Sequence, residues 1–389
     1  MSVTAPKGFE AVGGFAGIKG AYAPDVAVVA TAHGRPVPAA GVFTSNLAAA
    51  APVQVSRAHL AATHGRAAAV ILTSGNANAA TGAAGHAAAQ RLCAAVAGDV
   101  GCTAEEVLVC QTGLIGIPFP IDAVIPEIAP IVMARTGGPE AGTKAARAIM
   151  TTDTVPKEVV VAGHGFSVGG MAKGAAMLAP NMATMLAVCT TDAAVDEGTL
   201  QKALAEAVAA SFNSITVDGC TSTNDTVLVL ASGLGSRPSP AALTTALTEA
   251  CQSLARQMVE DAEGATKVAH VYVRGAASDE AAHTAARKVA DSMLVQCSLF
   301  GEDPYWGRIV SELGSAGTSF DIDRVSVAYG GTVVCAAGVA VPHDEAAVAA
   351  HMAGRHVELV CDLGLGPGQA VVLGTDLGYG YIDENRTTS

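Results

Sequence analysis

The sequence predicts an α/β protein built from thin, closely packed layers of sheet and helix. Half of the 389 residues are apolar but only 4% are aromatic, so Ala, Val, Leu and Ile must fill the interior, and 43 glycines allow close backbone approach. Strand-like apolar runs alternate along the chain with alanine-rich helical stretches. A chain of this length has room for two units that each bury a core.

Local patterns distinguish strands from helices in several places. Apolar runs at residues 25–31, 66–73 and 107–110 are typical of strands, whereas the stretch 82–96 is typical of a helix. Ser239 and Pro240 form a helix cap and first-turn pair, and that helix is predicted to end near residues 260–261. Its buried face is predicted to carry Leu243, Leu247, Cys251, Leu254 and Met258.

The composition argues against two classes of partner. The formal charge of −13 comes from 35 acidic and 22 scattered basic residues, which is the wrong sign and distribution for binding phosphate backbones. The first residues, MSVTAPKGFE, lack the basic start and apolar run of a signal peptide, and no stretch approaches roughly 18 consecutive apolar residues. We therefore expect a soluble, cytoplasmic protein that binds neither nucleic acid nor membrane.

Cysteine and histidine spacing argues against a metal site. The nine cysteines never occur as CxxC and their number is odd, and the ten histidines form no HExxH pattern. We expect no metal ion, and we expect the cysteines to be reduced and to act as small apolar fillers.

Turn-forming residues dominate the segment 150–192. Two strand-like runs flank a glycine-rich stretch, in which Gly169, Gly170 and Gly174 are predicted to form tight turns. Thr184 then opens the apolar run 185–189, which is typical of a strand. From this pattern alone, Thr184 is an ordinary β-branched strand residue.

A longer match changes that interpretation. The stretch KGAAMLAPNMATMLAVCTTD, residues 173–192, closely resembles the cleavage and nucleophile motif of the ornithine acetyltransferase family. Further blocks resemble the same family in the same order and cover nearly the whole chain: GVFTSN (41–46), SGNANAATG (74–82), QTGLIG (111–116), MTTDTVPK (150–157), STNDT (222–226), DAEGATK (261–267) and WGR (306–308).

The resemblance implies a fold, an activity and a maturation step. It implies a layered sheet and helix sandwich of the self-processing N-terminal-nucleophile type, with a second C-terminal unit. The precursor would be cut between Ala183 and Thr184 into an α chain (1–183) and a β chain (184–389), two of each forming a heterotetramer. Thr184 would then carry acetyl from N-acetylornithine to glutamate without coenzyme or metal, with acetyl-coenzyme A left open as an alternative donor.

The chemistry of Thr184 agrees with such cleavage. A hydroxyl is a weak nucleophile and needs a base that titrates near the working pH, and a free α-amine has a pKa of roughly 7.7–8.0. Small Ala183 leaves room for attack on its carbonyl. No Ser/His/Asp arrangement is recognisable in the sequence, in keeping with an enzyme that does not rely on histidine.

The resemblance places the oxyanion donors at Thr112 and Gly113. The Gly113 amide can approach the substrate without obstruction by a Cβ, and the Thr112 hydroxyl can donate. We therefore expect Gly113→Val to impair catalysis more than folding. Without the resemblance, residues 111–113 are predicted to form a strand-to-loop turn.

The resemblance also implies residues that bind substrate. Lys173 suits the α-carboxylate, and Glu263 suits the δ-ammonium of the ornithine group, although the pattern alone would make both solvated surface charges. Thr151 and Thr152 match another contact, of which an extended segment would present only one. Asn385 and Ser389 match the family's C-terminal contacts, and Thr184 itself touches the substrate.

Three departures from the family pattern and two alternative functions remain. The tail 385–389 is one residue shorter than in the family and lacks its aromatic residue. Tyr305 and Cys220 stand where the family usually has Asn and Asp, a difference that affects either specificity for glutamate or packing. One alternative function is a self-processing aminopeptidase of related fold, which would use a serine nucleophile. The other is an unprocessed protein that binds acetylated amino acids.

Overall fold

The computed structural model describes residues 2–20, 23–177 and 185–386. The strands in these ranges are β1 (Phe9–Gly14), β2 (Val26–Thr31), β3 (Val37–Phe43), β4 (Arg66–Ala67), β5 (Ala69–Asn76), β6 (Val107–Leu114), β7 (Lys157–Ala162), β8 (Ser167–Lys173), β9 (Leu186–Thr191), β10 (Thr226–Ala231), β11 (Val268–Ala276), β12 (Ser326–Tyr329), β13 (Thr332–Ala336), β14 (Val339–Ala340), β15 (His356–Asp362) and β16 (Gly368–Thr375). The α-helices are α1 (Ala51–Ala62), α2 (Gly82–Val100), α3 (Ile121–Met133), α4 (Pro139–Ala148), α5 (Glu197–Ala209), α6 (Pro240–Glu260), α7 (Asp279–Ala290), α8 (Met293–Phe300), α9 (Trp306–Gly314), α10 (Glu345–Met352) and α11 (Tyr379–Glu384).

Two sheets face each other in the larger unit. The first sheet has the strand order β1-β2-β5-β6, and the second has the order β4-β3-β10-β9-β8-β7. Helices α2 and α3 cover the outer face of the first sheet, and α5 and α6 cover the outer face of the second. The result is a sandwich of four layers, helix, sheet, sheet and helix.

Side chains alternate between two cores along the central strands. In β9, Leu186 and Val188 pack between the sheets, whereas Ala187 and Cys189 pack under α5 and α6. Since successive strand residues point to opposite faces, a strand buried on both faces must be apolar throughout. This explains the uninterrupted apolar run that follows residue 184.

The C-terminal unit has its own sheet and core. Its strand order is β14-β13-β12-β15-β11-β16, and β11 pairs in parallel with β15 and antiparallel with β16. Helices α7, α9 and α10 pack on this sheet around a separate apolar cluster. The predicted layered α/β fold with a second C-terminal unit is confirmed.

Several predicted elements are also confirmed. The Ser239 side chain accepts a hydrogen bond from the Ala242 amide at 3.2 Å, and α6 ends at Glu260. All five residues predicted for its inner face are buried. The helix predicted at 82–96 extends to Val100, where Gly101 closes it with a φ of +85°.

Two of the predicted turn glycines lie in a strand instead. Gly169 and Gly170 are inside β8, and the hairpin turn that joins it to β7 lies at residues 163–166. A Cβ on Gly169 would come within 2.3 Å of the Ser2 carbonyl oxygen, so this glycine serves close backbone packing. Gly174, directly after β8, has a φ of +155° and does mark a turn.

The cysteines are only partly core fillers. All nine are free thiols, and six are buried. Cys220 and Cys297 are exposed, which contradicts the prediction for those two. Among the described residues, no helix is long and apolar enough to cross a membrane.

Candidate active site

A cavity of about 460 Å³ opens where β5 and β6 end. Seven residues predicted to act in catalysis or binding line it, and they come from five separate stretches of chain: Thr112 and Gly113, Thr151 and Thr152, Lys173, Glu263, and Asn385. Other lining residues include Ile18, Lys19, Gly75, Leu114, Ala176, Met177, Asp218, Cys220 and Tyr381. The carboxyl ends of parallel strands are a common place for a site because side chains and amides from neighbouring strands meet there.

A bulge at the end of the β5/β6 ladder exposes the Gly113 amide region. Gly75 pairs with Gly113, and the register then shifts at Asn76. Gly113 has a φ of +129°, and a Cβ there would lie 2.3 Å from the carbonyl carbon of Gly75. Glycine is thus required by the packing of the bulge as well as by access to the amide. Gly113→Val should therefore also disturb the packing of the bulge, and whether it impairs catalysis more than folding stays a prediction.

Thr112 and Lys173 are joined inside the cavity. Lys173 ends β8, is only 3% exposed, and its ammonium donates to Thr112 Oγ1 at 3.4 Å. Because that oxygen accepts from an ammonium, its own hydrogen can be directed elsewhere, as an oxyanion donor requires. The interpretation of Lys173 as a solvated surface charge is wrong.

Burial and neighbouring charges act on Lys173 in opposite directions. Burial lowers the pKa of the Lys173 ammonium, and the positive charge of Lys157 adds to this effect. The carboxylates of Asp153, Glu263 and Asp225 raise the same pKa. Burial is the largest of these effects, so the pKa of Lys173 is lowered overall.

Asp153 connects the threonine segment to the end of β8. Its Oδ2 accepts from the Thr151 amide at 3.0 Å, and its Oδ1 accepts from the Gly174 amide at 2.8 Å and from Lys157 Nζ at 2.7 Å. Burial raises the Asp153 pKa, but the positive charges of Lys173 and Lys157 outweigh it and lower that pKa to about 2. Asp153 is thus ionised, and its carboxylate joins the threonine segment, Lys157 and the residue after β8.

Thr151 and Thr152 both line the cavity. They lie in a bend between α4 and β7 and not in an extended strand, so the alternation that would present only one of them does not apply. Which threonine contacts the substrate stays a prediction.

Glu263 lies between the cavity and the C-terminal helix. Its Oε2 accepts from Asn385 Nδ2 at 2.8 Å, and its amide donates to the Ala175 carbonyl at 3.0 Å. Gly264, next to it, has a φ of +63°, and a Cβ there would lie 2.1 Å from the Tyr381 amide nitrogen. The glycine lets α11 approach closely enough for Asn385 to reach Glu263.

Asp218 joins the opposite wall to α11. Its Oδ2 accepts from the Met177 amide and, at 3.2 Å, from the Tyr381 hydroxyl. Burial raises the pKa of Tyr381, and the Asp218 charge raises it further, so the phenol remains a hydrogen-bond donor. Cys220 lies on the same wall, and Tyr305, the other departure from the family pattern, is 57% exposed beside Arg308.

Sequence reasoning missed Lys19, Gly75, Asp218 and Tyr381 as cavity residues. Gly75 lies inside the block 74–82 and Asp218 lies four residues before the block 222–226, but spacing alone does not tell which of their neighbours line a cavity. Lys19 and Tyr381 had no local signal, because only tertiary packing brings their segments to the cavity.

Three predicted residues, Ala183, Thr184 and Ser389, lie outside the described residues. Before residues 178–184, which contain the proposed cleavage site, Met177 lines the cavity. On the other side, the Met185 amide donates to Asp225 Oδ1 at 2.9 Å. In the part of the chain that the structure describes, no three metal-binding side chains form a group.

Donors at a strand end suit charge that develops on a carbonyl oxygen, and adjacent charges of both signs suit an amino-acid substrate. Fold and cavity together define an enzyme of the acyl-transfer class. The chain belongs to the ArgJ family, whose model matches residues 10–387. The predicted family and enzyme class are thereby confirmed.

Curated relatives match from end to end. The chain is 47% identical over 397 residues to the arginine biosynthesis bifunctional protein ArgJ of Mycobacterium tuberculosis, covering 100% of this chain and 96% of that protein. It is 45% identical over 397 residues to the protein of the same name from Thermobifida fusca, covering 100% of both.

Solved structures of such proteins are also similar to parts of the chain. An ornithine acetyltransferase from Mycobacterium tuberculosis complexed with ornithine is 47% identical, covers 46% of this chain and 94% of its own, and has a TM-score of 0.44. The ArgJ protein of Bacillus halodurans is 37% identical, covers 51% of this chain and 96% of its own, and has a TM-score of 0.49.

Proposed function

We propose that this chain cuts itself between Ala183 and Thr184 and then transfers acetyl from N-acetyl-L-ornithine to L-glutamate in arginine biosynthesis. Family membership and the names of the full-length relatives support the pathway. The observation that carries the site assignment is the convergence of seven described residues, selected from the sequence, in one cavity.

Self-cleavage needs only groups of the chain itself and one water molecule. The Thr184 hydroxyl attacks the carbonyl carbon of Ala183, the peptide nitrogen leaves as the new α-amine, and an ester joins the two residues. Water then hydrolyses the ester and frees the hydroxyl. The cleavage thus creates the α-amine that serves as general base, since its ordinary pKa of roughly 7.7–8.0 lies near the working pH.

Acetyl transfer follows a ping-pong course. The α-amine takes the Thr184 proton as the hydroxyl attacks the acetyl carbonyl of N-acetylornithine, and ornithine leaves with a proton returned by the same amine. Glutamate then attacks acetyl-Thr184 through its α-amine, the ester bond to Thr184 breaks, and N-acetylglutamate leaves. The Thr184 α-amine passes the proton lost by the glutamate nitrogen to the Thr184 oxygen, which restores the hydroxyl. In both halves the carbonyl oxygen becomes negative, and the Gly113 amide and the Thr112 hydroxyl are the donors we assign to it.

The charged side chains of Lys173 and Glu263 are assigned to opposite charges of the substrate. N-acetylornithine carries one carboxylate and one δ-ammonium. We assign Lys173, with Thr151 or Thr152, to the carboxylate, and Glu263, supported by Asn385, to the ammonium. Ser389 is assigned to the same substrate by resemblance only. Two α and two β chains are proposed to form a cytoplasmic heterotetramer.

One set of assays tests the proposal against its alternatives. The purified chain should give two fragments in a denaturing gel, and mass spectrometry should find one fragment that begins at Thr184. N-acetylornithine should donate acetyl to glutamate, with acetyl-coenzyme A assayed separately as donor. A single intact band that binds acetylated amino acids would favour the binding protein, and release of amino acids from peptides would favour the aminopeptidase.

Two substitutions serve as internal controls. Thr184→Ala removes the nucleophile of both reactions, so it should remain one chain and transfer no acetyl. Thr184→Ser retains a hydroxyl and should still be cut, more slowly because the missing methyl group frees the side-chain rotamer. Cleavage of Thr184→Ala at the same bond would refute the scheme.

A further inference from the structure

We propose that Lys19 is a positioning residue of this site, which holds the threonine segment with its ammonium and supports the oxyanion bulge with its aliphatic stem. The inference rests on the proposed acetyl transfer. It concerns a residue outside every block that resembles the family.

The ammonium of Lys19 is fully used by backbone carbonyls. It donates to Met150 O at 2.5 Å, to Pro24 O at 2.9 Å and to Ala148 O at 3.4 Å. A lysine has three donors, and these three acceptors account for all of them. Ala148 is the last residue of α4 and Met150 follows its C-cap, so the positive charge also stabilises the C-terminal end of the helix dipole.

The carbonyl of Met150, which accepts from Lys19, immediately precedes the predicted substrate contacts Thr151 and Thr152 in the chain. Met150 is bonded to Thr151, whose amide is held from the other side by Asp153. Ser74 Oγ reinforces the same helix end by donating to Ala148 O at 2.6 Å. The position of Thr151 and Thr152 therefore depends on Lys19 at one end and on Asp153 at the other.

The stem of Lys19 packs on the backbone behind Gly113. A Cβ on Gly75 would lie 2.9 Å from Lys19 Cγ, and a Cβ on Gly113 would lie 2.3 Å from Gly75 C. The Gly75 backbone is thus enclosed between the stem of Lys19 and Gly113. A shift of the stem would let the bulge relax, and with it the amide assigned to the oxyanion.

Asp25 fixes the loop that carries Lys19. Its carboxylate accepts from the amides of Ala16 at 2.7 Å, of Ile18 at 2.6 Å and of Lys19 at 3.2 Å. Asp25 is itself fully buried. The loop is therefore rigid enough to transmit the position of the ammonium to α4 and to the bulge.

The charge of Lys19 is sensitive to pH near neutrality. Burial lowers the Lys19 pKa to about 8, assisted by the charge of Lys173 and opposed by Asp25 and Asp153. Below that pH the ammonium donates to all three carbonyls, and above it one proton and the positive charge are lost. Because deprotonation of the Thr184 α-amine raises activity over the same range, the effect of Lys19 is measured as the ratio of kcat/KM of the unmodified chain to that of Lys19→Arg, which should fall as pH rises through about 8.

The test compares Lys19→Met, which keeps the stem, with Lys19→Arg, which keeps a permanent charge and several donors. Lys144→Met is the matched control, because Lys144 lies on α4 with its side chain 61% exposed. For each, kcat and KM for N-acetylornithine and glutamate are measured from pH 6 to 10 and normalised to the cleaved fraction.

Lys19→Met should lower kcat/KM roughly tenfold or more, the effect expected for loss of charged hydrogen bonds. Lys19→Arg should keep kcat/KM within roughly threefold of the unmodified chain near neutral pH, and the ratio of unmodified chain to Lys19→Arg should fall above about pH 8 because arginine stays charged. The inference is overturned if Lys19→Met matches the parent, or if the ratio of unmodified chain to Lys19→Arg does not change with pH. Should Lys19→Met fail to fold, the Lys19→Arg profile alone decides. An unmodified chain that transfers no acetyl would instead refute the proposed function.

Discussion

Glu263 shows how one residue can be tied to the fold and still be available to a substrate. Its carboxylate accepts one hydrogen bond from Asn385 and lines the cavity with its remaining acceptor capacity. In the proposed reaction, only N-acetylornithine presents a side-chain cation to it. Donor and acceptor substrates should therefore depend on Glu263 to different degrees.

Glu263→Gln should weaken the N-acetylornithine half-reaction by about 1.5–3 kcal/mol in transition-state stabilisation, because a charge-assisted contact is lost. Glutamine still accepts from Asn385, so the C-terminal helix should stay in place. The glutamate half-reaction, started from acetyl-enzyme, should change much less. The exposed Glu260→Gln on the same stretch is the control. Equal losses in both half-reactions would make Glu263 a structural residue only.

Asp153 gives a second prediction for a single residue, this time in stability. The Asp153 pKa of about 2 lies below the value of roughly 3.9 for an unfolded aspartate, so folding favours the ionised form. Its contribution, on the order of 2 kcal/mol, is fully present above about pH 4 and is lost as pH falls toward 2.

Asp153→Asn should lower the free energy of unfolding by about 2 kcal/mol at pH 6. The difference from the parent should shrink below pH 4, as the parent carboxylate becomes protonated. Denaturant unfolding measured at several pH values checks this, with Asp122→Asn, 86% exposed, as the control. A difference that does not vary with pH would show that the ion pairs of Asp153 are not its source.

At the scale of elements, the β5/β6 bulge is the feature that forms the oxyanion region. Gly113 in β6 and Gly116 shortly after it separate two reasons for a glycine, a positive φ and the lack of room for a Cβ. Gly113 and Gly116 both have positive φ, +129° and +82°, but only Gly113 would press a Cβ into backbone atoms. Gly116 has open space around it.

Gly113→Ala should therefore destabilise the protein by more than Gly116→Ala. The second change carries only the cost of a left-handed backbone, roughly 1–2 kcal/mol, whereas the first must also displace β5. Thermal unfolding compares the two directly, and the cleaved fraction reports the oxyanion region. If both variants lose the same stability, the bulge is less tightly packed than the structure indicates.

At the scale of the whole molecule, the proposed cut divides one sheet between two chains. In the second sheet, β9 and β10 would belong to the fragment 184–389, while β3, β4, β7 and β8 would belong to 1–183. The core between the sheets likewise contains residues from both sides of residue 184. Neither fragment can complete that sheet or that core alone.

The cleaved fragments should therefore stay together without denaturant and unfold in one transition. Size-exclusion chromatography of the cleaved protein should give one species containing both fragments, and Thr184→Ala supplies the uncut reference. Separation of folded fragments under native conditions would contradict the interleaved sheet.

Local chemistry was enough to predict some features with the correct residues. Ser239, Pro240 and the apolar spacing after them specify α6 because a cap and an amphipathic face are encoded within one helix. The run after residue 184 specifies a strand buried on both faces. The glycines of β8 misled the prediction, since Gly169 looks the same in a sequence whether it turns the chain or admits a neighbouring backbone.

The sequence by itself determined the α/β class, the α6 helix, the family and the set of residues to look for in a site. These depend on short-range patterns or on long motifs that are visible along the chain. Only the tertiary structure decided that Lys173 is buried against Thr112 and that the backbone of Gly75 leaves no room for a Cβ at residue 113. It also decided that Lys19 contacts both the threonine segment and the oxyanion bulge. Burial and contact between distant segments arise from packing, and packing sums many weak interactions that no local pattern records.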